Sequence, residues 1–155
     1  MDLKYINIYN NLIKLTTNKV LYKDFKRQDT FSDRLTYFLL HFAFFLKVYK
    51  VKNSKKTMQE LYDFMFRQLE ISIREIGYGD QSVNKKMKDY LNLFHDMLPK
   101  IDSWENKDVD KKGLILKYFI NIDVNTHDLI DYFDKYMNNL LKSTLNYHLK
   151  GVINQ

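Results

Sequence analysis

The chain has 155 residues, 45% hydrophobic and 28% charged, with one proline, four glycines and no cysteine, a composition that excludes a disordered tail, a collagen-like repeat and a disulfide scaffold. The missing cysteines also exclude a thiol nucleophile, a thiolate zinc site and a CxxC redox pair. The net charge of +6 is uneven: residues 1–56 hold 12 of the 25 Lys and Arg but four of the 19 Asp and Glu, so this third carries +8 and the remainder −2.

Scarce Gly and Pro and apolar residues recurring every three to four positions predict a single all-α domain of about six helices over residues 1–155. Tyr5, Ile8, Tyr9, Leu12 and Leu15 mark the first helix, which ends near Thr17-Asn18. An irregular piece follows through Leu21, Tyr22 and Phe25. Asp29-Thr30-Phe31-Ser32-Asp33 offers N-cap residues for a second helix that carries Leu35, Phe38, Phe42, Phe45 and Tyr49 and runs to about Val51. Its most apolar stretch, Leu35–Leu46, contains His41 and is well short of the ~20 residues that span a bilayer. The N-terminal M-D-L-K-Y-I-N-I-Y-N has no charged leader followed by an apolar run, so no secretory signal is expected.

Asn53 or Ser54 opens a third helix with Met58, Leu61, Tyr62, Met65, Leu69, Ile73 and Ile76 inward, while Phe64, Phe66 and Ile71 widen its apolar surface. This breadth makes the third helix the expected centre of the fold. Glu60, Asp63, Arg67, Glu70 and Arg74 follow at steps of three and four and form one charged seam, either a solvated face of weak ion pairs or a partner-binding surface. Gly77 ends the helix, and Asp80 or Ser82 is expected to cap a fourth, stopped by Pro99. Residues 101–112 are polar and expected to be partly looped. Leu114–Ile120 reads as a helix, with a short strand as the alternative. Asn125 and Thr126 cap a last helix reaching Leu145, and residues 148–155 are expected to be a loosely held tail.

No enzyme signature stands. Gly77-Tyr78-Gly79 lacks the glycine-lysine pair and preceding strand of a phosphate loop. His41, His95, His127 and His148 lie on different helices without paired spacing, so neither catalysis, a metal nor a cofactor is expected. A lone histidine on an apolar helix, such as His41, is ordinarily a hydrogen-bonded core residue. The basic N-terminal third offers phosphate-binding capacity, for RNA or anionic lipid, or simply keeps an aromatic-rich chain dissolved.

Several segments together resemble the ubiquinol-cytochrome c chaperone family. Phe64-Met65-Phe66-Arg67 with Glu70 precedes Arg74-Glu75-Ile76-Gly77-Tyr78-Gly79-Asp80, then Val83-Asn84-Lys85-Lys86-Met87-Lys88 and Phe94. Upstream come Leu21-Tyr22, Asp29-Thr30-Phe31-Ser32-Asp33-Arg34 and Leu40-His41. The likeness is strongest over residues 5–100. Where the family commonly has Phe-x-Gly-Arg, this chain has Phe94-His95-Asp96-Met97. The resemblance implies an all-α, non-enzymatic assembly factor that binds newly made cytochrome b and assists assembly of the cytochrome bc complex, the role implied for mitochondrial relatives; the chain looks like one of the bacterial relatives that share the domain, whose role is inferred from the family. It places Asp33, Arg34, His41, Arg67, Glu70, Arg74, Glu75, Lys85 and Lys88 among the client-binding candidates, with Gly77, Gly79 and Asp80 as structural turn and cap. The implied partners are cytochrome b or its nascent chain, the ribosome and an anionic membrane surface, with no DNA; the implied setting is the cytoplasm or the face of the inner membrane. An RNA- or ribosome-binding module acting through the basic N-terminal third is the alternative.

Overall fold

A computed structural model describes residues 3–25, 29–120 and 125–151. The described residues form seven α-helices: α1 (Ile6–Leu15), α2 (Phe31–Tyr49), α3 (Lys55–Glu75), α4 (Asp80–Asp102), α5 (Val109–Ile120), α6 (Thr126–Leu141) and α7 (Leu145–Leu149). Short 3-10 turns occupy Lys19–Tyr22 and Trp104–Asn106, and no strand occurs among the described residues.

The starts of the helices follow from local chemistry. Thr30 and Asp33 form a reciprocal capping box at α2: the Thr30 hydroxyl accepts from the Asp33 amide and the Asp33 carboxylate accepts from the Thr30 amide. Ser54, Asn125 and Thr144 cap α3, α6 and α7 through side-chain oxygens.

The centre of the bundle is α2 rather than α3. Twelve of the nineteen α2 residues are buried, against six of twenty-one in α3, and α2 touches α1, α4, α5 and α6. Phe42 stacks on Phe94 of α4 with ring centroids 5.2 Å apart, and Phe44 stacks on Phe133 of α6 at the same distance. The apolar breadth of α3 is consumed differently: Phe64 meets Tyr5 of α1 and Phe66 meets Phe94 of α4, so both rings are buried inside the protein.

Three boundaries depart from expectation. Pro99 does not stop α4, which continues through Ile101 to Asp102. Ile101 is fully buried, and its packing outweighs the one backbone hydrogen bond that a proline forgoes. The polar stretch 101–112 holds Trp104, fully buried, whose indole N–H donates to Asp134 at 2.8 Å while Lys112 lies 5.2 Å from the ring centre. The expected last helix breaks after Leu141 and restarts as α7. There the beginning of the supposedly loose tail is tied down: His148 Nε2 meets the Tyr49 hydroxyl at 2.8 Å and the Leu149 carbonyl accepts from Asn7 at 3.1 Å. Residues 152–155 of that tail lie outside the described residues.

The helices share two ends. Tyr49 of α2 reaches the Leu140 carbonyl of α6 at 2.8 Å, and Lys50 pairs with Asp102 at the close of α4, so α2, α4 and α6 finish together. At the opposite end Tyr37 donates to the Leu21 carbonyl at 2.7 Å beside the start of α2. The turn between α3 and α4 also lies there, because α4 begins where it ends.

Candidate functional site

The charged segment of α3 leads into the α3–α4 corner. Ile76 closes α3, and Gly77 follows with φ +106°, a conformation that side chains with a Cβ rarely adopt. Its amide returns to the Arg74 carbonyl at 3.0 Å. Gly79 has an ordinary φ of −72° and is itself the N-cap of α4, so this glycine is not required by backbone sterics. Asp80 is therefore not the cap. It occupies the first turn of α4, where a carboxylate complements the helix dipole.

Arg74 joins the two helices. Its Nη1 donates to Asp80 Oδ1 at 2.5 Å and its Nε to Glu70 Oε2 at 3.4 Å. The Asp80 bond, with Glu70 behind it, holds the guanidinium pKa above its ordinary value. All three side chains face water, so the triad sets the shape and charge of the corner more than it stabilises the fold. Beside it stand two apolar side chains: Ile76, expected inward, is 50% exposed, and Tyr78 is 41% exposed with Lys86 4.6 Å from its ring centre. Sequence spacing missed Ile76 because it lies at the helix terminus, where the helical stripe no longer faces the core.

Among the described residues, the other candidates make no bond to this triad. Arg67, Glu75, Lys85 and Lys88 are exposed, and Arg67, Lys85 and Lys88 form no ion pair among the described residues. The expected continuous ion-pair seam thus reduces to Glu70–Arg74–Asp80, with Asp63 taken up by Gln59 and Glu60 by Tyr5. Asp33 belongs to the α2 capping box, and Arg34 donates to Asp29 at 2.6 Å. Both organise the start of α2.

His41 is a core residue. It is fully buried among Tyr132, Phe133 and Tyr136, so it presents no atom to a partner. Its Nδ1 lies 2.6 Å from the Tyr37 carbonyl, which can only accept, so Nδ1 carries the proton. Nε2 is then the acceptor for the Tyr132 hydroxyl at 2.7 Å. Burial pushes the imidazole pKa down to about 4, keeping the ring neutral.

Sequence reasoning also missed a surface groove between α2 and α4, of about 340 Å³, with Ala43, Leu46, Leu98 and Pro99 along it and Lys47, Lys50 and Asp102 at its rim. Its members are spread over two segments, and only Pro99 was conspicuous in the sequence. Among the described residues, no group of three or more metal-binding side chains occurs and no helix is long and apolar enough to cross a membrane.

No curated protein and no solved structure matches the chain. Residues 23–114, more than half of it, match the family described as Ubiquinol-cytochrome C chaperone, a segment that takes in α2, α3, α4 and the charged corner between the last two. This membership suggests a non-enzymatic chaperone role in assembly of respiratory complex III. With that match across its central helices, the chain belongs to the ubiquinol-cytochrome c chaperone family.

Proposed function

We propose that this protein binds newly made cytochrome b and holds it for assembly into the cytochrome bc complex, working from the cytoplasmic face of the inner membrane. The observation that carries this reading is the family match over residues 23–114. The α3–α4 corner supports it as the client-facing surface. An unassembled membrane protein exposes apolar segments flanked by charge, and here Ile76 and Tyr78 stand in water beside Arg74, Glu70 and Asp80. Arg67, Glu75, Lys85 and Lys88 extend that surface along α3 and α4.

Affinity capture of the tagged protein from membranes of its native host tests the proposal. Cytochrome b peptides are expected in the eluate. Ribosomal proteins without cytochrome b would reject it in favour of a ribosome-binding module.

A further inference from the structure

Among the described residues, the positive charge of the N-terminal third does not form one face. Two of its cations sit at the end of the bundle where α2 begins and are paired there, Lys23 with Asp128 and Arg34 with Asp29. Lys47 in the last turn of α2 and Lys50 just after it are also paired, with Glu105 and with Asp102. The turn from α2 to α3 is different. Lys52, Lys55 and Lys56 are exposed, make no ion pair among the described residues, and have no acidic residue in the first turn of α3 to offset them.

The fold brings further charge to this turn from the far end of the sequence. Tyr49 bonds to the Leu140 carbonyl and to His148, and Asn53 holds the Tyr49 carbonyl at 2.7 Å. Those contacts set the ends of α6 and α7, with Lys142 and Lys150, at the same end as Lys52, Lys55 and Lys56. Neither Lys142 nor Lys150 makes an ion pair among the described residues. Exposed apolar side chains lie among these lysines: Val51 is 77% exposed, more than any other large hydrophobic residue described, Leu141 is 62% exposed and Tyr147 44%.

We infer that this end of the bundle, Val51-Lys52 through Lys56 with Leu141, Lys142 and Tyr147, docks reversibly on an anionic lipid bilayer. Lysines meet headgroup phosphates as point charges, while Val51 and Leu141 enter the boundary of the acyl chains. The same residues suit nucleic acid poorly. The patch has no arginine, and of its exposed apolar members Val51 and Leu141 are aliphatic, leaving Tyr147 as the single ring on which a base could stack. The inference deepens the reading of a membrane-side assembly factor, but its test uses no client, so its failure and the failure of client binding are separately visible.

The test is co-sedimentation of the full chain with vesicles of phosphatidylcholine alone or mixed with phosphatidylglycerol, at low and high salt. Binding is expected only to the mixed vesicles and should weaken as salt shortens the Debye length from ~10 Å to ~3 Å between 0.1 M and 1 M. At about fivefold per lysine, the combined variant K52Q/K55Q/K56Q should bind about a hundredfold more weakly. The variant K14Q/K19Q, which removes charge from the same third of the sequence at the opposite end, should bind like the parent. Val51→Ser should weaken vesicle binding several-fold and leave binding to polyuridylic acid unchanged. All these positions are exposed, and circular dichroism checks that each variant is folded. The inference is overturned if the parent ignores phosphatidylglycerol, or if K52Q/K55Q/K56Q binds as the parent does. Equal losses from K14Q/K19Q would also overturn it, as would tight RNA binding by a parent whose vesicle binding is indifferent to Val51→Ser.

Discussion

Acidification should weaken this protein well before its carboxylates protonate, and His41 is the reason. The folded chain holds the His41 ring neutral down to about pH 4, whereas the unfolded chain takes up a proton near its ordinary value of 6.5. Between those values the unfolded state binds more protons, so stability is complete above the unfolded pKa and is lost as pH falls. At about 1.36 kcal/mol per pH unit the full loss is about 3 kcal/mol, of which about 2 kcal/mol falls between pH 6.5 and 5. His148, whose pKa burial also lowers, acts in the same direction. Asp102 and Glu105 have pKa values below their ordinary ones, so their contribution goes at lower pH and leaves this window clear. The loss is a sizeable share of the ~5–15 kcal/mol that holds a typical domain together. Urea unfolding followed by circular dichroism at about pH 7, 6 and 5 measures it. His41→Gln removes the titrating group and should flatten most of the slope. Equal losses in the parent and His41→Gln over this window, or an NMR titration placing the His41 ring near pH 6.5 in the folded protein, would refute the reasoning.

Tyr132→Phe removes the donor to His41 Nε2, leaves a buried acceptor unpaired and should cost about 1–3 kcal/mol of unfolding free energy in the same assay. Gly77→Ala should cost about 1–2 kcal/mol, because a Cβ there meets no neighbour and only the backbone is strained, whereas Gly79→Ala at φ −72° strains nothing, loses only the N-cap preference for glycine over alanine and should cost less, about 0.5 kcal/mol; paired denaturation curves decide this. Arg74→Ala removes an exposed link between α3 and α4. It should leave the melting temperature essentially unchanged yet abolish capture of cytochrome b, and a variant that unfolds while residual folded protein still captures the client would make Arg74 structural.

What the sequence made legible was local. The periodicity of α1 to α4, the box of Thr30 and Asp33 and the stop at Gly77 all depend on residues within one or two turns of each other. What it hid depends on partners far along the chain. Trp104 looked like part of a polar loop because the Asp134 that accepts from its indole is thirty positions away. The breadth of apolar surface on α3 suggests a central helix, yet Tyr5 and Phe94 cover Phe64 and Phe66. A rule about isolated helices makes Pro99 a terminator, whereas the buried Ile101 after it carries α4 on to Asp102. Of the candidate site, spacing found Glu70 and Arg74. It gave Asp80 the wrong task; His41, which its apolar helix marks as a core residue, is one, and the resemblance that set it among the client-binding candidates is what its burial and hydrogen bonds correct.

The central position of α2 also governs how this chain is completed. Residues 37–49 emerge in synthesis about ninety residues before Tyr132, Phe133, Tyr136, Leu140 and His148, which cover them. Until then one of the most aromatic helices of the protein has only part of its cover, and long-range contacts of this kind close slowly and leave apolar surface open to aggregation. The segment that matches the family stops at residue 114, so a chain cut there would keep the motif and lose the residues of α6 and α7 that cover this face of α2.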